Sequence, residues 1–251
     1  MKKLKYILPI LKTIFSSKNW IEVFTLSFLP REIVFRFKNG LEFKINNFHN
    51  LISLYEIFIK NEYLIKKLNP KIVIDIGANF GDSTVFFAKT YPKSFIFSFE
   101  PSLSTFKILK TNINLNNIEN CKFFKLGVGS KRGKYSFFEN KQSGLSSLYQ
   151  TGVLSTKITV DIITLLDIFK INKINSCDLL KLDCEGAEFD IIMNSPVDIF
   201  SKVNSMIIEY HNEVTDYKHT ELVKYLKKLK FKVRIKKHRI ERNIGMIYAS
   251  K

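Results

Sequence analysis

The stretch Ile72-Val-Ile-Asp-Ile-Gly-Ala-Asn-Phe-Gly-Asp-Ser-Thr-Val85, followed by Phe97-Ser-Phe-Glu-Pro-Ser102, constrains the fold more than any other part of this chain. Its first half is a run of strand formers with Asp75 near the end. A tight turn at Gly77 and Gly81 follows, and Asp82-Ser83 reads as a helix start. The second half is another apolar strand that stops on one acid, Glu100. Strand, glycine turn, helix and acid-terminated strand together predict a nucleoside-binding half-fold. Glu100 lies 23 residues beyond Gly77, where a carboxylate can accept both hydroxyls of a ribose.

The glycine spacing is G-x-x-x-G, not the G-x-G-x-x-G of dinucleotide sites, whose third glycine serves packing near a pyrophosphate. Asp75 and Asp82 flank the turn and would repel a pyrophosphate. They suit a ligand carrying a sulfonium and an amine. The pattern therefore points to S-adenosylmethionine rather than NAD.

Forty Lys and Arg against 23 acids give a net charge of +17, which favours polyanions: nucleic acid, anionic headgroups or acidic glycans. The densest basic run, Lys224 to Arg242, has little aromatic interleaving, so a single-strand-binding platform has weak support. Cys121, Cys177 and Cys184 are odd in number and lack C-x-x-C spacing. They form neither a disulfide framework nor a zinc signature and fit a reducing, cytoplasmic setting. No apolar run is long enough to span a bilayer. Residues 1–15 read as a basic amphipathic segment, open to packing on the domain or to lying on the inner membrane surface.

Along the chain, residues 1–30 read as helical, then irregular. Ile33–Phe37 and Leu41–Ile45 flank Asn39-Gly40, a two-residue hairpin signal. Asn50–Lys60 has helical periodicity. Strands are expected at Lys71–Ile76, Ser94–Phe99, Cys121–Leu126, Leu179–Leu182 and Ser205–Glu209. Helices are expected at Asp82–Thr90, Ser102–Leu115, Ile162–Phe169 and Glu221–Leu229. Short strands at Tyr135–Phe138 and Lys157–Val160 enclose a polar loop, Gln142–Ser147, a candidate lid. Phe231–Ile235 and Ile244–Tyr248 can close the sheet as an antiparallel hairpin. Alternating strands and helices mean an α/β fold with a mainly parallel sheet. The expected organisation is an N-terminal extension, 1–48, and one domain, 49–251.

The chain resembles the FkbM family of S-adenosylmethionine-dependent methyltransferases over roughly residues 50–212. The resemblance rests on Ile74–Ser83, Phe99-Glu-Pro101, Asn112 with Asn116, Gly144-Leu-Ser-Ser147, Leu180-Lys-Leu-Asp-Cys-Glu-Gly-Ala-Glu188 and Ile208-Glu-Tyr-His211. The D-x-G-A-N-x-G piece is shared by many methyltransferases; the Lys181–Glu188 block with the later Glu-Tyr-His is far more specific. Cys184 replaces the family's usual small aliphatic residue. The resemblance implies a Rossmann-like class I methyltransferase fold of seven strands. It also implies O-methylation of a hydroxyl, on a sugar of a glycan or on a secondary metabolite.

Methyl transfer needs a held donor, an aligned oxygen and a base. Asp75, Glu100, Asp183 and Glu209 all end apolar strands, where α/β sheets bind ligands and where unpaired burial would be costly. For the donor, the reading takes Gly77 and Gly81 as its loop, braced by Asn79. Asp75 or Asp82 meets the amine directly or through water, with help from the Ser83 hydroxyl, Glu100 takes the ribose, and Gly127 marks the adenine side. For catalysis it takes Asp183, Glu185, Glu209 and His211. His211 is the natural base and Glu185 its competitor. A divalent ion held by the same four residues is the alternative, not the expectation. Glu188 reads as a favourable charge at a helix N-terminus. Two other functions stay open: a nucleic-acid methyltransferase, from the +17 charge, and a non-catalytic membrane-surface scaffold.

Overall fold

The computed structural model describes residues 2–25, 31–139, 146–147, 156–238 and 243–251. Helices α1 (Lys2–Ser16) and α2 (Trp20–Thr25) lead into the hairpin β1 (Ile33–Arg36) and β2 (Glu42–Ile45). The irregular part expected near 26–30 lies outside the described residues. The hairpin loop has three residues rather than two. Phe37 N–H donates to Leu41 O at 2.8 Å and Gly40 N–H to Phe37 O at 3.0 Å, with Gly40 at φ +95°. A type I turn followed by a left-handed glycine gives this bulged form.

Next come α3 (Phe48–Leu54), entered through an Asn47–Asn50 capping box, and a π-helical turn at Tyr55–Ile59. The helix expected over Asn50–Lys60 thus starts earlier and loosens after Leu54. The alternating core follows: β3 (Ile72–Ile76), α4 (Asp82–Thr90), β4 (Phe95–Phe99), α5 (Leu103–Leu115) and β5 (Cys121–Phe124). Then β6 (Gly127–Gly129), β7 (Gly133–Glu139), β8 (Ser146–Ser147) and β9 (Thr156–Thr164) form a small separate sheet, ordered β6-β9-β7-β8. The chain ends with α6 (Leu165–Ile171), β10 (Cys177–Leu182), α7 (Ala187–Asn194), β11 (Val203–His211), α8 (His219–Lys228), β12 (Lys232–Lys237) and β13 (Ile244–Ser250).

The main sheet has seven strands in the order β12-β13-β11-β10-β3-β4-β5. Neighbours from β11 to β5 run parallel, and β13 is antiparallel to both β11 and β12. This is the mainly parallel sheet with a C-terminal antiparallel strand that the sequence predicts.

One expectation is corrected. Ile162 to Thr164 are not helical: they continue β9, pairing with β6 and, at Ile162, with Gly133 of β7. Their β-branched side chains favour the pleat. The helix starts only at Leu165, where Thr164 and Asp167 form a capping box. In the proposed lid, residues 142–145 lie outside the described residues, while Ser146 and Ser147 pair with Glu139 and Phe138. Arg239 and Arg242, at the end of the basic run, also lie outside them.

Two apolar layers cover the sheet. Ile74, Leu180, Met206 and Ile208 pack with residues of α6, α7 and α8. Val73, Ile96, Leu179 and Ile207 pack with α4, α5 and the N-terminal elements, including Ile14, Phe35, Phe43 and Leu51. The alternation follows from the two-residue period of each strand. Two asparagines lock the hairpin down. Asn112 accepts from Lys44 N–H at 2.6 Å and donates to Phe80 O at 2.8 Å. Asn116 accepts from Glu42 N–H at 3.0 Å and donates to Glu42 O at 2.6 Å. These side chains act as a surrogate neighbouring strand for β2, each bond contributing about 0.5–1.5 kcal/mol net.

Candidate functional site

A cleft opens over the carboxyl ends of β3, β4 and β10. Gly77 forms its floor at φ +77°, and a Cβ there would lie 1.8 Å from the Asp183 carbonyl oxygen. Only glycine fits. Asn79, also left-handed at φ +47°, donates its N–H to Glu100 Oε2 at 3.0 Å. Ser102 N–H donates to Glu100 Oε1 at 2.9 Å. Burial raises the Glu100 carboxyl to about 7, against these backbone donors, which lower it. The group is thus pinned by one lone pair on each oxygen while it lines the cleft.

Val128, Phe137 and Ile162 give the cleft an apolar wall beside Gly127. A Cβ on Gly127 would meet Ile162 Cδ1 at 2.3 Å, so this glycine lets the small sheet approach. Phe137 and Ile162 escaped the sequence reading because they belong to β7 and β9, distant in the chain from the glycine motif.

Of the residues expected at the donor, Gly77, Asn79, Glu100 and Gly127 line the cleft. Asp75, Asp82 and Ser83 are buried, lie outside the residues that line the cleft, and make hydrogen bonds within the protein. Asp75 Oδ2 accepts from Ser83 Oγ at 2.7 Å and Thr84 Oγ1 at 2.8 Å. Its Oδ1 lies 3.2 Å from Lys181 Nζ, its register partner across β3 and β10. Asp82 accepts from the Ser53 hydroxyl and from Ser83 N–H, and burial raises it to about 6. Gly81 closes the turn behind the cleft, donating to Ala78 O at 2.8 Å.

Lys181 is the pivot that the sequence reading left without a role. It is 1% exposed, in the middle of an apolar strand. Nζ donates to Gly77 O at 2.6 Å and lies 3.7 Å from Asp183 Oδ2. Burial opposes its charge, but Asp75 and Asp183 outweigh burial and raise its pKa. One ammonium therefore ties the glycine turn to the end of β10. The available signal was a single charge inside Leu180-Lys-Leu182, which must be paired if buried.

Asp183, Glu185, Glu209 and His211 do come together, as their neighbouring strand ends require. Tyr63 OH donates to Asp183 Oδ2 at 2.9 Å. Glu185 sits in a left-handed conformation at φ +53° before Gly186, and its Oε2 lies 3.4 Å from His211 Nε2. Ligand atoms of Asp183, Glu209 and His211 lie within 4.8 Å of one another, with Glu185 outside that set. Burial pushes Glu209 well up, and nearby Asp183 adds to it. Burial also raises Glu185, against His211. His211 goes the other way: Glu185, Glu188 and Glu209 outweigh burial and raise it well above the usual imidazole range. Glu188 is more than a helix-end charge. It is fully buried and bonded to Gly186 and to His211.

The Methyltransferase FkbM domain model matches residues 75–233, which takes in every element that builds this cleft except Tyr63 and the N-terminal cover. This chain belongs to the FkbM methyltransferase family. It is 24% identical over 183 residues to Methyltransferase 1 of Beauveria bassiana, covering 64% of this chain and 74% of that protein. It is 25% identical over 166 residues to the 2-O-methyltransferase NoeI of Sinorhizobium fredii, covering 60% and 67%. A solved FkbM methyltransferase from Methylobacillus flagellatus superposes with a TM-score of 0.53 at 14% identity, over 98% of this chain. This chain spans 59% of that one's length. Aeropyrum pernix fibrillarin, solved with natively bound S-adenosyl-L-methionine, has a TM-score of 0.50 at 14% identity, covering 87% and 82%. The FkbM chain thus has the Rossmann-like class I methyltransferase fold. No helix among its described residues is long and apolar enough to cross a membrane.

Proposed function

We propose that this FkbM protein transfers the methyl group of S-adenosylmethionine to a hydroxyl of a sugar or another small polyhydroxylated acceptor. One observation carries the reading: Asp183 lines the same cleft as Glu100 and brings Glu209 and His211, whose ligand atoms lie within 4.8 Å of its own, up beside it. Glu100 takes the ribose hydroxyls with its remaining lone pairs, and Val128, Phe137 and Ile162 cover the adenine. Asp183 and Glu209 hydrogen-bond acceptor hydroxyls, and the Asp183 carboxylate favours the donor's positive charge. His211 takes the proton. As the S–CH₃ bond breaks and the C–O bond forms, the hydroxyl proton moves to Nε2 and neutral S-adenosylhomocysteine remains.

The acidic mouth argues against a nucleic-acid acceptor. The Asp183 carboxylate would repel a phosphate backbone at the point of transfer, whatever the +17 overall charge does at a distance. The three thiols, none of them disulfide-bonded, suit a cytoplasmic setting.

A second reading rests on the same three ligand atoms. Two carboxylates and an imidazole within 4.8 Å fit a magnesium or manganese ion, which would lower the hydroxyl's pKa in place of a base. Calorimetry with S-adenosylmethionine, then transfer of labelled methyl to monosaccharide and glycan acceptors with and without chelator, separates these readings. Folded protein that binds no donor would defeat both. Activity abolished by chelator and restored by manganese would select the second.

A further inference from the structure

Helix α1 buries Ile10, Thr13 and Ile14, a spacing of three and four residues that seats one stripe on the domain. A different stripe of the same helix is apolar and stays outside. Leu8 is 60% exposed and Phe15 58%, with Ile7 and Leu11 beside them. Helix α2 continues the surface with Trp20 at 47% and Ile21 at 66%, and the rings of Phe15 and Trp20 are 6.0 Å apart. Scattered exposed apolar residues need no explanation; a contiguous patch over two helices does. The surrounding charge is mainly positive, with Glu22 of α2 the acid beside the patch, hydrogen-bonded to Asn19. Residues 1–21 contain Lys2, Lys3, Lys5, Lys12 and Lys18 and no acid, and Lys12 and Lys18 are exposed.

We infer that this α1–α2 face docks the protein on an anionic lipid surface, with Leu8, Phe15, Trp20 and Ile21 entering the headgroup boundary and the lysines meeting lipid phosphates. Apolar side chains together with lysines are the combination an interfacial helix needs, because neither signal alone holds a protein on a bilayer. Trp and Phe suit the polar–apolar boundary. A second copy of this chain would bring the same lysines together across the contact, where like charges oppose association. The face does not depend on the acceptor's identity. The π-helical turn that packs beside α1 leads directly to Tyr63 at the acidic cluster, so docking would present the site near the membrane plane.

Trp20 is the chain's single tryptophan, so its fluorescence reports on this face directly. The full-length protein is mixed with vesicles of phosphatidylcholine alone or blended with phosphatidylglycerol, followed by sedimentation and emission spectra. The expected result is binding to the blend, weakened by salt, with Trp20 emission moving to shorter wavelength. Lys12→Glu with Lys18→Glu lowers the vesicle affinity by about tenfold or more. Leu8→Ser, Phe15→Ser and Ile21→Ser together abolish the shift, while donor affinity and melting temperature stay those of the parent. No binding and an unmoved spectrum in the parent protein overturn the inference. So does equal binding to neutral vesicles. A dimer that buries Trp20 and that the serine substitutions dissociate, without vesicle binding, assigns the face to a second copy instead.

Discussion

Glu188 holds His211 twice: Oε1 accepts the His211 backbone N–H at 2.9 Å and faces Nδ1 at 3.0 Å. The other oxygen accepts the Gly186 N–H at 2.9 Å, so one buried carboxylate joins the turn before α7 to the end of β11. A carboxylate at Nδ1 places that nitrogen's proton and aims Nε2 at Asp183, Glu185 and Glu209. The same pairing raises the His211 pKa, so the imidazole accepts a proton only above its ordinary range.

That relationship makes Glu188 a positioning residue with a pH signature. Activity needs neutral His211, so turnover should rise with pH through a value above 6.5. Glu188→Gln removes a charge that raises that value, and the acid limb should move to lower pH. The plateau should fall by about tenfold, in line with losses on removing a supporting hydrogen bond to a working histidine. Donor affinity should stay constant. An acid limb that does not move would leave Glu188 with packing alone.

His211→Ala should lower turnover by roughly 10²–10⁴-fold, the usual range for a lost general base, with donor affinity nearly intact. Its acid limb should vanish. Glu185→Ala should keep a limb, displaced downward because Glu185 is one of the acids that raise His211. A pH–rate profile of the three proteins is the measurement. Full activity in His211→Ala would leave His211 as a structural or substrate-contact residue and move the proton acceptor to Glu185.

Glu100 sets how donor binding depends on pH. It must be ionised to accept two ribose hydroxyls, and burial raises it to about 7. Donor affinity should therefore be full above that value and weaken by about tenfold for each pH unit below it. Glu100→Gln should remove the dependence and cost on the order of 1.5–3 kcal/mol of donor binding. Calorimetry across the range reads both effects. A flat profile in the parent would contradict the ribose assignment.

Lys181 should be read in stability first. Lys181→Met leaves Asp75 buried beside no cation and frees Gly77 O, which should cost about 3–5 kcal/mol in urea unfolding. Adding Asp75→Asn should recover a good part of that loss, because the stranded charge is gone. Equal instability of single and double variants would refute the pairing as its cause.

Much of the fold was legible in the sequence. Val73, Ile74 and Ile76 announce a buried parallel strand, and Gly77 announces the turn that follows. Asn39-Gly40 marked the hairpin but not its loop length, because a left-handed glycine serves both two- and three-residue turns. The helix expected from Ile162 failed for a related reason: Ile162-Ile-Thr164 suits either period, and pairing with Gly127 and Gly133 decided for the strand. At the site, the strand-end positions bring Glu100 and Asp183 to one cleft and Glu209 and His211 up beside Asp183.

The order of apolar runs, turns and acids along this chain determined a doubly covered parallel sheet and the strand ends where its chemistry is placed, because both follow from local periodicity. Which carboxylates face the cleft was decided only by tertiary contacts. Asp75 is drawn inward by Lys181 and Asp82 by Ser53. Glu188 reaches His211 across 23 residues of chain. A buried charge takes the direction of its partner, and those partners are neighbours in space rather than in sequence.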